Sequence, residues 1–103
     1  GVQPEPPRLY DAFIVTMGDD ARVEGIKLAR ELRANGIKCD IDHAARSMKA
    51  QFKYANKLGA PVVAGIAGDE LTQGVVKIKD MAKSEEHTIA RADVAAEIKK
   101  MLG

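Results

Sequence analysis

The chain has 103 residues, 46% apolar and 30% charged, with a net charge of +1; this fits one globular domain and excludes a disordered tail. No run approaches the roughly 18 apolar residues of a membrane span, and the N-terminal GVQPEPPR lacks the apolar core of a secretion signal. The lone Cys39 excludes an internal disulfide and a cysteine metal cluster, and fits a reducing, cytoplasmic setting.

Gln3–Pro7 (QPEPP) holds three prolines in five positions, which fix φ and favour an extended, semi-rigid linker. Residues 1–7 are therefore expected to join the domain, 8–103, to a longer chain. Ala12–Met17 (AFIVTM) is a short apolar run ended by Gly18, the pattern of a buried strand. Asp19 or Asp20 is expected to cap the helix that follows. Gly25, Leu28, Ala29 and Leu32 form its inner face, Arg22, Lys27, Arg30 and Arg33 its outer one, and Asn35-Gly36 stops it. Ile37–Asp42 (IKCDID) alternates as a second strand, making a right-handed βαβ unit with parallel strands.

Ser47 is a good N-cap after the loop His43–Arg46. Met48, Phe52, Ala55 and Leu58 then make a buried stripe, with Lys49, Lys53, Asn56 and Lys57 on an exposed flank, until Gly59 ends the helix. Pro61–Ala67 (PVVAGIA) is apolar throughout, as a central strand is. Gly68–Gly74 reads as a turn-rich link. Val75–Asp80 alternates, with Val76 and Ile78 opposite Lys77 and Lys79, and Glu86–Ala90 is its expected hairpin partner. Asp93 opens a last helix with Val94, Ile98, Met101 and Leu102 inward. The order β-α-β-α-β-β-β-α predicts an α/β fold: a single domain with a mixed, parallel plus antiparallel, five-stranded sheet and about three helices.

Charge is unevenly spread. Residues 37–68 carry five bases and two acids, while the flanking thirds nearly balance, and no Asp or Glu lies between Asp42 and Asp69. Such a patch can steer a polyanion even on a nearly neutral chain. Catalytic patterns are missing: there is no G-x-S-x-G, P-loop or G-x-G-x-x-G, and His43 and His87 have no ligand-like neighbour at helical spacing. Two aspartates after Gly18 would repel a phosphate from that strand-to-helix turn. Asp40 and Asp42 are an i, i+2 pair better explained by strand-edge solvation than by acid–base work. The basic helix remains. A solvated face is the plain explanation of its lysines, but no acid balances them at i±4. Arg46 stands at the helix entrance, where a guanidinium fork and free N–H groups suit a phosphate or a base edge.

RSMKAQFKYANKLGAP followed by GDELTQGVVKIKDM resembles the C-terminal anticodon-binding domains of class II aminoacyl-tRNA synthetases, those of the histidyl-tRNA synthetase family above all. Arg46, Ser47, Lys49, Gln51, Lys53, Ala55, Lys57, Leu58, Gly59 and Ala60 match that family's helix motif. Asp69, Glu70, Leu71, Gly74, Val76, Ile78, Lys79 and Asp80 match its turn and strand. The sequence departs from the family at Ala44-Ala45, where a glycine pair is usual, and at Ser84–His87, where G-E-Q is usual.

The resemblance implies a module that grips the anticodon stem-loop of a histidine tRNA, whose unpaired bases can be splayed out and read on their edges. In that picture Lys49, Lys53 and Lys57 face phosphates and Arg46 and Glu70 contact base edges. Lys79 would reach Glu70 from the next strand, and Thr16 and Met17 would help floor the pocket. No catalytic residue, metal ligand or cofactor is expected within the chain. The parent would be a homodimeric, cytoplasmic histidine–tRNA ligase whose separate catalytic domain uses ATP and Mg. The alternative is a regulatory or dimerising paralogue of the same fold that binds no RNA.

Overall fold

The computed structural model describes residues 10–41, 47–81 and 83–102, with Met48 by its backbone alone. The QPEPP linker and the loop carrying His43 and Arg46 lie outside the described residues. Five strands, β1 (Ala12–Thr16), β2 (Cys39–Ile41), β3 (Val62–Ile66), β4 (Val75–Asp80) and β5 (Glu85–Ala90), form one sheet in the order β2-β1-β3-β4-β5. β1 pairs in parallel with β2 and β3; β4 is antiparallel to β3 and β5. The mixed α/β sheet expected from the sequence is thus the one observed.

The helices are α1 (Asp19–Ala34), α2 (Met48–Lys57), α3 (Gly68–Gln73) and α4 (Val94–Leu102), the last preceded by a 3₁₀ turn, Arg91–Asp93. β1 and β3 are buried at every position because both of their faces are covered. On one face Ile14, Val62, Ala64, Ile66, Val76 and Ile78 pack with Leu28 and Leu32 of α1 and Val94 and Ile98 of α4. On the other, Phe13, Val15 and Val63 meet Ala55 of α2, bordered by Tyr10, Phe52, Tyr54 and Leu58. The result is three layers, with α2 the one helix on its side among the described residues.

Local chemistry departs from expectation in three places. α1 is opened by Gly18, at φ 101°, with no side-chain cap; Asp19 and Asp20 sit in the first turn and favour the helix dipole instead. The link Gly68–Gly74 contains a short helix, α3, closed by Gly74 in the left-handed region at φ 70°. The third is an addition: Asp93 directly precedes α4, where the last helix was expected to open, and also ends a 3₁₀ turn. By contrast Ser47 caps α2 as expected, its Oγ accepting from the Ala50 N–H at 3.2 Å.

α1 lies unusually close to the sheet. A Cβ on Gly25 would stand 2.7 Å from Thr16 Cγ2 and 2.8 Å from Ile41 Cδ1, so only glycine allows this approach. Arg91 holds the far end of the sheet to the same helix: its guanidinium donates to Glu24 Oε1 and to Glu31 Oε2, each at 2.7 Å.

Candidate nucleic-acid interface

Helix α2 is held over the sheet by more than apolar contact. Gln51 is 1% exposed, and its side-chain amide meets the end of β1 twice. The Thr16 N–H donates to Gln51 Oε1 at 2.9 Å, and Gln51 Nε2 donates to the Thr16 carbonyl at 2.7 Å. Among the described residues the β2 pairing reaches Ile41, opposite Ile14, and the backbone groups of Thr16 on that side meet the Gln51 amide. On the other side Met17 N–H still donates to the Ile66 carbonyl at 3.0 Å. An amide carries donor and acceptor at peptide-like spacing and so continues the ladder by one residue. Left unpaired, each buried backbone group would cost about 1–3 kcal/mol.

This arrangement turns the lysines outward. At about 100° per residue, Lys49 and Lys53 each point roughly 160° away from Gln51. Lys49, Lys53 and Lys57 are all exposed, and no acid among the described residues pairs with them. Lys53 and Lys57 line an open depression with Ala50, Tyr54 and Asn56. The α2 side of the sheet continues beyond the helix onto β4 and β5. There Lys77 faces Thr88 and Lys79 faces Glu86 across the register, with Lys77, Thr88 and Glu86 exposed. Lys79 Nζ lies 5.6 Å from the centre of the Phe52 ring, a cation–π contact joining the strand to the basic helix. Lys77 Nζ is 3.9 Å from Glu86 Oε2, an exposed and weak pair.

Not every residue singled out in the sequence falls on this surface. Lys49, Lys53, Lys57 and Lys79 do, and Met17, 42% exposed, stands at the end of β1. The Thr16 side chain points the other way, its Cγ2 against Gly25 of α1, so Thr16 brings only backbone to the α2 side. Glu70 lines a small cleft on the α1 face with Glu24, Ile66, Leu71, Gly74 and Arg91. The expected reach of Lys79 to Glu70 is not observed. Lys79 is paired with Val63, whereas Glu70 follows Ile66, three residues further along β3, or about 10 Å. Arg46 lies outside the described residues. Gln51 was matched only as part of a motif. Its spacing of i, i+4 and i+7 with Ala55 and Leu58 was the available signal that it turns inward.

Titration adds little to this surface. Burial raises the Cys39 thiol above its ordinary range, and the Sγ donates to the Ala29 carbonyl at 3.3 Å. That is a small core residue, not a nucleophile. Tyr10 is raised by the hydrogen bond its hydroxyl donates to Asp40 Oδ2, at 3.2 Å. Among the described residues no group of His, Cys, Asp and Glu side chains is placed to hold a metal, and no helix is long and apolar enough to cross a membrane.

A mixed sheet, a glutamine-pinned basic helix on one side and an exposed continuation on β4 and β5 define an α/β recognition module. The family model described as "Anticodon binding domain" matches residues 11–101. The chain belongs to that family. It is 48% identical to the histidine–tRNA ligase of Alkaliphilus oremlandii over 94 residues, 91% of this chain and 22% of that protein. With the histidine–tRNA ligase of Clostridioides difficile it shares 39% identity over 102 residues, 99% of this chain and 24% of that protein. Apo histidyl-tRNA synthetase of S. aureus superposes with a TM-score of 0.85 at 36% identity, over 94% of this chain and 28% of that one. For the histidyl-tRNA synthetase of Nostoc sp. PCC 7120 the TM-score is 0.90 at 28% identity, over 99% of this chain and 25% of that one. The chain thus spans about a quarter of the length of the relatives it matches.

Proposed function

We propose that the chain is the anticodon-recognition part of a histidine–tRNA ligase and binds the anticodon stem-loop of a histidine tRNA. The observation that carries this reading is the exposed, unbalanced lysine flank of α2 in a chain nearly half identical to such ligases. Lys49, Lys53 and Lys57 serve as phosphate contacts; their ammonium groups supply charge without base preference. Selectivity comes from groups at the strand ends, with Met17 as apolar floor, Arg46 and Glu70 at base edges and Lys79 beside Phe52. The placement of Glu70 in the α1-side cleft means that a base reaching it must pass the end of β3.

The remaining three quarters of the parent supply the chemistry. There ATP and Mg support attachment of histidine to its tRNA, in a homodimeric cytoplasmic enzyme joined to this domain through the QPEPP linker. The domain itself contributes no reacting group. It selects the tRNA to be charged.

Titrating the chain with a histidine tRNA and with an anticodon-swapped one, across salt concentrations, tests this. Affinity should fall steeply with salt, and Lys53→Ala should reduce the logarithmic slope by about one. Glu70→Ala should leave the slope alone and narrow the preference for the correct anticodon by about 1–3 kcal/mol. Binding indifferent to salt, to Lys53→Ala and to the anticodon at micromolar protein would refute the reading and favour a paralogue that binds no RNA.

A further inference from the structure

The Gln51 clamp separates two jobs that α2 performs. Its amide holds the last residue of β1, immediately before Met17 and the Gly18 turn. Its two neighbours on the lysine flank, Lys49 and Lys53, are exposed on the opposite side of the helix. Thr16 is held on both sides, by Gln51 and through Met17 to Ile66, so hydrogen bonds tie the end of β1 to the first turns of α2. A rotation of α2 by one residue, or a slide by one turn, breaks both amide contacts at once.

We infer that Gln51 is a positioning residue for anticodon selectivity: it fixes the base-facing end of β1 against the basic helix, and contributes nothing to the electrostatic grip. The inference rests on the proposed tRNA-binding role. It predicts that losing the clamp leaves every lysine and its charge in place while freeing Met17 and the entrance of α2. Discrimination then falls and the salt dependence stays.

The test compares wild type with Gln51→Met, which keeps length and apolar bulk but has no amide, and Gln51→Leu, which is shorter, uncharged and likewise without an amide. Binding to a histidine tRNA and to an anticodon-swapped tRNA is measured across salt, below the melting transition of every variant. Both variants should lose about tenfold in discrimination, the change expected for a displaced base-edge contact, with the salt slope of wild type. Lys53→Ala should do the reverse. Should the variants fail to fold, wild type answers alone: adding an anticodon stem-loop should shift the NMR signals of the Met17 amide and the Gln51 side-chain amide together. Wild-type selectivity retained in the variants, or a stem-loop that shifts Met17 without Gln51, overturns the inference while leaving the tRNA-binding role intact. Loss of grip and selectivity in equal measure also overturns it. Wild type that ignores the anticodon and salt removes the tRNA-binding role, and this inference with it.

Discussion

Replacing Gly25 by alanine sets two opposed effects against each other inside α1. Helix propensity favours alanine in a helix interior by about 1 kcal/mol. Packing opposes it. The new methyl would stand 2.7 Å from Thr16 Cγ2, 2.8 Å from Ile41 Cδ1 and 3.3 Å from Ile14 Cγ2. Carbon atoms pack best at about 3.5–4.0 Å, so two of these contacts are too close by roughly 0.7 Å or more. Ile41 can swing its terminal methyl aside. Thr16 cannot retreat, because its backbone is hydrogen-bonded to Gln51 on one side and followed by the Met17–Ile66 bond on the other. α1 must therefore lift off β1 locally, and overpacking of this kind costs about 1–3 kcal/mol. The expected net result of Gly25→Ala is a loss of about 1 kcal/mol, or roughly 4–8 °C in Tm for a domain of this size. Urea unfolding measures it, with Lys27→Ala on the exposed face as a control expected to stay within about 0.5 kcal/mol of wild type. A Gly25→Ala variant more stable than wild type by the full propensity difference would refute the reasoning, since it would mean the sheet yields freely at Thr16.

Other consequences concern separate parts of the fold. Arg91→Met removes two half-buried ion pairs at once and strands Glu24 and Glu31; stability should fall by about 1–2 kcal/mol, with the deficit shrinking in high salt. An unchanged urea midpoint would show that the pairs contribute nothing. Ser84 holds φ 54° in the β4–β5 connection, so Ser84→Gly should be neutral or slightly stabilising and Ser84→Val should cost about 1–2 kcal/mol, read by thermal melting. The raised Cys39 thiol binds its proton more tightly folded than unfolded. Its contribution is complete below the ordinary thiol range and is lost as pH rises through the folded value. Stability should therefore decline in alkali more in wild type than in Cys39→Ala. A thiol reagent should label Cys39 at the rate of unfolding, and fast labelling under native conditions would contradict its burial.

Most of the architecture was legible because it follows from periodicity. The short, mainly apolar runs of β1 and β3, the alternation in Val75–Asp80 and the Gly25, Leu28, Ala29, Leu32 face of α1 all correspond to observed burial. The short helix α3 was not legible, since six residues rich in turn formers carry no helical period and are shaped by the packing of Leu71 and the left-handed Gly74. Gln51 was legible as an inward residue only through its helical spacing with Ala55 and Leu58, and its residue type argued against it. A glutamine is ordinarily a surface residue, and what makes it a core residue here is its pairing with backbone groups 35 residues away.

The candidate surface divides along the same line. The sequence by itself determined the lysine flank of α2, because helical spacing and missing acids are local properties. It also determined the family, through motifs read in order. Which of those residues share a surface was decided by the tertiary structure. Strand register separates Lys79 from Glu70, the β1 alternation turns Thr16 toward α1, and the end of β1 gives the Gln51 amide its two backbone partners. Register and strand length emerge only when distant segments pair. The physical role of a residue can therefore rest on a backbone group far away in the chain.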